Sequence, residues 1–384
     1  MRVAFVAPYL PAPENTGGRI RMARLARALR DGGAELELFA CGGRAEFANE
    51  RSGEALSVYA RAHVRGRKPS ARWGSSDPER VKSATPALLW LDLWRAHRRR
   101  AFDVVVVSHS YAMAMASAAK GAAVVLDEHN VESAYAASTA REASEQAKLA
   151  MWERECWRRA AAVTCVSEAD AAVVRASGAG AVTVIANGVT IERVRFASER
   201  AREGKRDVVF VGLMSHGPNE EGAEFLARAV MPRVWATQPS ARLVLCGRQP
   251  SEPVRALASE RVIVTGTVEN VGVYLDEARV MAVALHKGAG SSLKAVEALA
   301  SGARVVSTSV GMRGIEGANA GETHDEAEDA EGFAAGICRA FEESDDAMSA
   351  RARAVGERYD WAAVGARFAA VVDAAVLAAR GRGR

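Results

Sequence analysis

Short runs of aliphatic and β-branched residues alternate along the chain with stretches whose apolar positions recur every three to four residues. VAFVAP (3–8) reads as a buried strand, and GRIRMARLARALRDGG (18–33) predicts a helix that stops at Gly32-Gly33. ELELFA (35–40), DVVVV (103–107), AVVLD (123–127) and VTCV (163–166) are further strands, with a long helical pattern from about Glu132 to Ala161 between the last two. VTVIA (182–186) then runs into Asn187-Gly188. A second series follows: DVVFVG (207–212), ARLVLCG (241–247), RVIVTG (261–266), VMAVAL (280–285) and ARVVST (303–308). Strand–helix alternation predicts parallel sheets covered on both faces, with ligands at the carboxyl ends of the strands. Two series predict two doubly wound α/β domains, 1–188 and 189–356, followed by a terminal helix in 357–384 that packs back on the first domain. The charged segment near 190–206 marks the boundary.

Composition changes this picture little. At 384 residues the chain exceeds what one hydrophobic core usually covers. Its 49% apolar and 26% charged residues are those of an ordinary globular enzyme. The five cysteines (Cys41, Cys156, Cys165, Cys246, Cys338) stand singly, which argues against a zinc site or disulfide framework and fits a reducing cytosol. The opening MRVAFVAPYLPAP is broken by prolines and too short for a signal-peptide core, and no apolar run approaches the roughly eighteen residues of a membrane span. A cytoplasmic protein is expected, with peripheral contact at the inner face of a membrane an open option.

The chemistry concentrates after VMAVAL, where the chain reads HKGAGSSLKAVEALASG (286–302). A glycine-rich turn into a helix exposes backbone N–H groups at the positive end of the helix dipole, which suits a phosphate or diphosphate. Lys294 can add a full charge to the same anion, and Glu297, one turn on, can accept from sugar hydroxyls. The spacing alone serves equally for a capping turn with Ser291 as N-cap and a solvated Lys294–Glu297 pair. A dinucleotide fingerprint fits poorly, because Leu293 stands where its third glycine belongs.

KGAGSSLKAVEALASGARVV resembles the nucleotide-sugar motif of glycosyltransferase family 4, retaining enzymes of the GT-B architecture. TGG (16–18), DEHNVES (127–133), VTCVSEAD (163–170), ANGV (186–189), FVGLMSHGPNEEG (210–222), TGTVENVGVYLDEARV (265–280) and YDWAAVGARF (359–368) extend the resemblance over most of the chain. It implies two facing Rossmann-like domains with the nucleotide sugar held mainly by the second. Lys294 would contact the donor diphosphate and Glu297 the ribose. Gly212, Gly288, Gly290, Ser291, Ser292 and Leu293 would line the diphosphate, and Val268 would lie beside the base. The chain departs from many relatives at Ala289, where an acidic residue is common, and at Ser292, where an arginine is. The Arg and Lys that often follow the first strand of the second domain are missing from GLMSHGPNEEG.

In the first domain the resemblance places His129 beside the transferred sugar, projecting from a strand end into the interdomain cleft; a lone histidine is otherwise more often structural. Lys294 and His129 are the catalytic candidates. Gly17 and Gly18 read as a turn before the first helix that faces acceptor or phosphate, and His109, ending a strand, is an acceptor-side candidate. Glu132 reads as a helix starter. On the first helix Met22, Leu25, Ala26 and Leu29 share one side, with Arg24, Arg27 and Arg30 opposite and Arg19 and Arg21 at the margins. RAHRRR (95–100) and the arginines around 61–72 add charge to the same domain. This is either a solvated face or one attracted to anionic lipid. Nothing resembles a nucleic-acid reading helix.

The expected activity is therefore retaining glycosyl transfer from a nucleotide-diphosphate sugar to a glycan, lipid-linked or small-molecule acceptor. No Asp-x-Asp pair follows a strand, so neither an obligatory metal nor a cofactor is expected. A nucleotide-sugar epimerase of the same architecture and a non-catalytic partner subunit remain alternatives at this stage.

Overall fold

The computed structural model describes residues 1–43, 56–67, 78–134, 143–191, 194–287 and 292–382. Contacts divide the chain into two units, Met1–Asn187 with Ala362–Arg384, and Gly188–Trp361. Each is built on an all-parallel sheet.

The first unit's sheet comprises β1 (Arg2–Ala7), β2 (Glu35–Cys41), β3 (Arg61–Arg65), β4 (Val104–Ser108), β5 (Ala123–Asp127), β6 (Ala162–Cys165) and β7 (Ala181–Val184), in spatial order 3-2-1-4-5-6-7. All six residues of β1 and all five of β4 are buried, as central strands of a parallel sheet covered on both faces must be. Helices α1 (Gly17–Asp31), α2 (Ala87–Arg99) and α3 (Ala143–Arg159) cover it. Val6, Phe39, Leu93, Val105 and Trp157 belong to one of its apolar clusters.

The second sheet comprises β8 (Asp207–Val211), β9 (Arg242–Cys246), β10 (Val262–Gly266), β11 (Ala278–Val283), β12 (Arg304–Ser307) and the two-residue β13 (Asp325–Glu326), in order 10-9-8-11-12-13. Phe210, Leu226, Leu245, Phe333 and Ile337 share its core. Both sheets reverse their winding once, between β1 and β4 in the first and between β8 and β11 in the second. At such a switch point the connections leave in opposite directions and open a crevice at the carboxyl ends.

Three sequence expectations are corrected. RAHVR (61–65), expected as part of a basic surface, is the edge strand β3, whose arginine ends conceal its strand character. The long helical pattern is helical at 132–134 and over α3, with 135–142 outside the described residues. The strand expected at 280–285 begins and ends two residues earlier, as β11. The last helix, α4 (Trp361–Arg382), is long and apolar enough by length and composition to cross a membrane. Its Val364, Phe368, Val372 and Val376 are buried at helical spacing. A Cβ on Gly365 would stand 2.5 Å from Ala28 Cβ, so only glycine lets α4 approach α1 this closely.

Candidate functional site

At the switch point of the second sheet, the turn after β8 is built around close backbone approach. A Cβ on Gly212 would lie 2.8 Å from Asn219 Nδ2, and one on Gly247 would lie 1.6 Å from Gly212 O. Asn219 is buried, with its Nδ2 donating to Leu213 O at 2.9 Å and its Oδ1 accepting from Lys294 Nζ. Lys294 also sits over Phe210, 4.8 Å from the ring centroid, a cation–π contact that partly replaces lost water. Lys294 and Glu297 lie on the helix Leu293–Ser301 that follows β11. Both are half-buried, so they are not a freely solvated pair. Burial pushes the Lys294 ammonium down to about 7, against the opposing pull of Glu297. Burial likewise raises the Glu297 carboxyl to about 7, against Lys294. Among the described residues Glu297 has no hydrogen-bond donor.

The N-cap of this helix is Ser292, in extended conformation (φ −94°, ψ 112°), and its hydroxyl makes no capping bond. Gly288, Gly290 and Ser291 lie outside the described residues. Val268 is half-buried in the loop after the edge strand β10, two strands from β8, apart from the Lys294 cluster.

At the switch point of the first sheet a buried polar cluster forms. Asp127 ends β5 and is fully buried; it accepts from Arg21 Nη2 at 2.6 Å and Nε at 3.0 Å, and from Thr164 Oγ1 at 2.7 Å. Burial alone would raise its pKa, but Arg21 and His129 outweigh that and hold it well below the carboxylate range. Asp127 Oδ2 lies 3.1 Å from His129 Nε2. Assigned from this network, Nε2 is the nitrogen that donates to Asp127. His129 Nδ1 is buried with no partner among the described residues.

His109 lies against His129, ring centroids 4.0 Å apart, with its Nε2 3.1 Å from Tyr9 Oη. Burial and the neighbouring His129 push the His109 pKa well below its ordinary value, so it is neutral. Its φ of +66° is a left-handed backbone at a non-glycine residue, a strain of about 1–3 kcal/mol that the surrounding packing must hold. A Cβ on Gly18 would stand 2.3 Å from Tyr9 Oη and 3.3 Å from His129 Nδ1, so glycine here keeps the face of His129 open.

The structure brings Gly18, His109 and His129 together and corrects the reading around them. Gly17 and Gly18 are the first turn of α1 rather than a turn before it. Arg21 is a wholly buried partner of Asp127, not the margin of a basic face. Arg24 and Arg27 both pair with Glu14, and Arg30 with Asp31. Glu132 is buried and paired with Arg80, its Oε1 3.9 Å from His109 Nδ1. Behind it, Glu153 accepts from the backbone of Glu132 at 2.6 Å and Ser133 at 3.1 Å, with burial raising its pKa to about 7. Sequence reasoning missed Tyr9, Asp127, Glu153 and Asn219. Asp127 closes a buried strand in a motif quoted above, which was an available signal, whereas Asn219 lies on the helix Gly217–Glu224 and meets Lys294 across 75 residues of chain. Among the described residues no three His, Cys, Asp or Glu side chains gather as metal ligands.

Comparison with known proteins bears on this geometry. The family model for Glycosyltransferase Family 4 matches residues 16–193, and that for Glycosyl transferases group 1 matches residues 205–343. Glycogen synthase of Mycobacterium tuberculosis is 28% identical over 230 residues, 56% of this chain and 54% of that protein; the chain thus spans about half the length of the curated relatives it matches. Among solved structures, Anabaena HepE in complex with UDP aligns with TM-score 0.71 and 16% identity over 97% of this chain and 100% of its own. Sucrose-phosphate synthase from Thermosynechococcus elongatus aligns with TM-score 0.66 and 18% identity, over 98% and 97%. The two matched segments lie one in each unit, with few residues shared across the boundary, and the parallel sheets are those of GT-B enzymes. The chain belongs to the family 4 glycosyltransferases.

Proposed function

We propose that this enzyme transfers a glycosyl group, with retention of configuration and without an obligatory metal or cofactor, from a nucleotide-diphosphate sugar to a glycan, lipid-linked or small-molecule acceptor. The observation that carries the reading is the Lys294–Glu297 pair at the second sheet's switch point. Lys294 is oriented by Asn219 Oδ1, a neutral acceptor, with Glu297 its nearby opposite charge, and Glu297 has no hydrogen-bond donor among the described residues. A diphosphate on Lys294 and ribose hydroxyls on Glu297 would complete both.

In this reading, the departing diphosphate gathers negative charge as the glycosyl bond breaks. Lys294 and the helix start stabilise that charge in place of a metal ion. Gly212, Gly288, Gly290, Ser291, Ser292 and Leu293 supply small side chains and backbone to the diphosphate, and Val268 flanks the base. His129, oriented by Asp127, offers Nδ1 to a hydroxyl of the transferred sugar. The leaving diphosphate itself takes the acceptor proton.

Five free cysteines support a reducing, cytoplasmic setting. Peripheral contact with an anionic membrane rests on arginines other than Arg21, Arg24, Arg27 and Arg30 of α1, whose charges are already paired. Calorimetric titration with UDP-, GDP- and ADP-glucose tests the donor reading, beginning with uracil donors because HepE binds UDP-glucose. At least one nucleotide sugar is expected to bind, more weakly after Glu297→Gln. If no nucleotide sugar or free nucleoside diphosphate binds, the reading is wrong.

A further inference from the structure

A second charged concavity lies at the opposite end of the first sheet. Arg2, Glu35 and Arg61 open β1, β2 and β3, so a cavity lined by all three is at the amino ends of the strands, away from His109 and His129. It holds about 410 Å³, within the roughly 300–1,000 Å³ of small-molecule sites. From α2, Asp92, Arg95, Arg99 and the following Arg100 complete the charged wall.

The charges in this wall do not cancel. Its three carboxylates are each matched: Glu37 by Arg2, Glu35 by Arg100 at 2.7 Å, and Asp92 by Arg65 at 2.7 Å. Arg61, Arg95 and Arg99 remain, and none makes an ion pair with a described carboxylate. The helix dipole accounts for Arg99 in the last turn of α2, but not for Arg95 one turn earlier or for Arg61 on a different element. Three exposed arginines lining one concavity raise its positive potential, which solvent screens only in part and which favours a bound anion. Their planar forks match phosphate oxygens in pairs. No ring is free to stack a base, since His63, the aromatic residue of the lining, already lies flat on Phe39 with centroids 4.6 Å apart.

We propose that Arg61, Arg95 and Arg99 form a second anion site, separate from the donor site, that binds a compact phosphate group: a free di- or triphosphate, or the phosphomonoester headgroup of an anionic lipid. The proposal is independent of the donor reading. It gives a place in the fold to the RAHRRR run and to the arginine at the start of β3.

The test compares the full chain with the Arg61→Gln/Arg95→Gln/Arg99→Gln variant. All three side chains are exposed, so the variant is expected to fold, which circular dichroism and thermal unfolding verify; single Gln replacements serve if it does not. Sodium pyrophosphate is titrated by calorimetry at constant ionic strength, and sedimentation is measured with vesicles of phosphatidylcholine with and without phosphatidate. A loss of at least tenfold in pyrophosphate affinity in the variant assigns the site to a free phosphate. Loss confined to phosphatidate vesicles assigns it to the lipid headgroup. Equal binding of both probes by variant and wild type, or binding of neither by wild type, overturns the proposal.

Discussion

Both sheets gather charged groups near the carboxyl ends of the strands around their switch points, yet they treat those charges oppositely. In the first unit Asp127 is saturated: Arg21, His129 and Thr164 all converge on it, and each is itself buried. In the second, Lys294 has one neutral hydrogen-bond partner and Glu297 has none among the described residues. A buried charge with its full set of partners fixes structure, because removing one partner strands the other without water. A half-buried charge whose partners are missing is destabilised, and a ligand can relieve that. The first cluster holds His129 in one orientation; the second leaves Lys294 and Glu297 short of partners among the described residues.

This contrast can be broken most directly through stability. Asp127→Ala leaves Arg21 buried without its counter-ion and is expected to destabilise the first unit by about 3–5 kcal/mol. Lys294→Ala should leave stability nearly unchanged, or raise it, since the desolvated ammonium is removed. Urea unfolding of both variants decides; equal losses would erase the distinction. The next largest effect is on turnover. Lys294→Ala should lower kcat by about 10²–10³-fold, the loss seen when a group stabilising developing charge is removed. Steady-state kinetics giving near-normal kcat would return the lysine to a structural role.

Smaller effects sharpen the description of the second site. Glu297→Gln should weaken UDP and the nucleotide sugar alike by about 1.5–3 kcal/mol, as for a lost hydrogen bond to a charged group. Calorimetry showing unchanged affinity for both would remove Glu297 from the ribose. With both groups displaced toward about 7, binding needs Lys294 protonated and Glu297 ionised. Affinity for UDP should therefore peak near pH 7. It falls on the acid side as Glu297 takes up a proton and on the alkaline side as Lys294 loses one. Glu297→Gln should abolish the Glu297 acid limb and move the alkaline one to lower pH, because Glu297 holds the Lys294 pKa up; a flat profile between pH 6 and 8.5 in the wild type contradicts the assignment. The smallest expected effect is none: EDTA should leave the initial rate unchanged, and loss of activity restored by Mn²⁺ would mean that a metal, not Lys294, meets the diphosphate.

Much of the fold was legible before the structure. Buried parallel strands have to be continuous apolar runs, and VAFVAP, DVVVV, AVVLD and DVVFVG are such runs, so their sheets could be read directly. β3 was not legible, because an edge strand needs only a half-buried middle and RAHVR places arginines at both ends. The apolar length of the last helix was not visible as a continuous run, because Arg367 and Asp373 interrupt it at exposed positions. In the second unit the Lys294–Glu297 spacing could be read, as one turn of one helix is a local property. Asn219, which orients Lys294 from 75 residues away, could not.

What the sequence by itself determined is what depends on neighbours along the chain: the alternation of strands and helices, the two series, the polar residues at strand ends and the helical pairing of Lys294 with Glu297. The tertiary structure decided which charges find each other. Arg21 has the same helical position whether it faces solvent or Asp127, 106 residues away. Arg24 and Arg27, on the same helix, instead share Glu14 near the surface. Periodicity sets the direction of a side chain, but the worth of a charge depends on how much water it loses and which opposite charge replaces that water. Both are fixed only when distant strands align and bring their ends together.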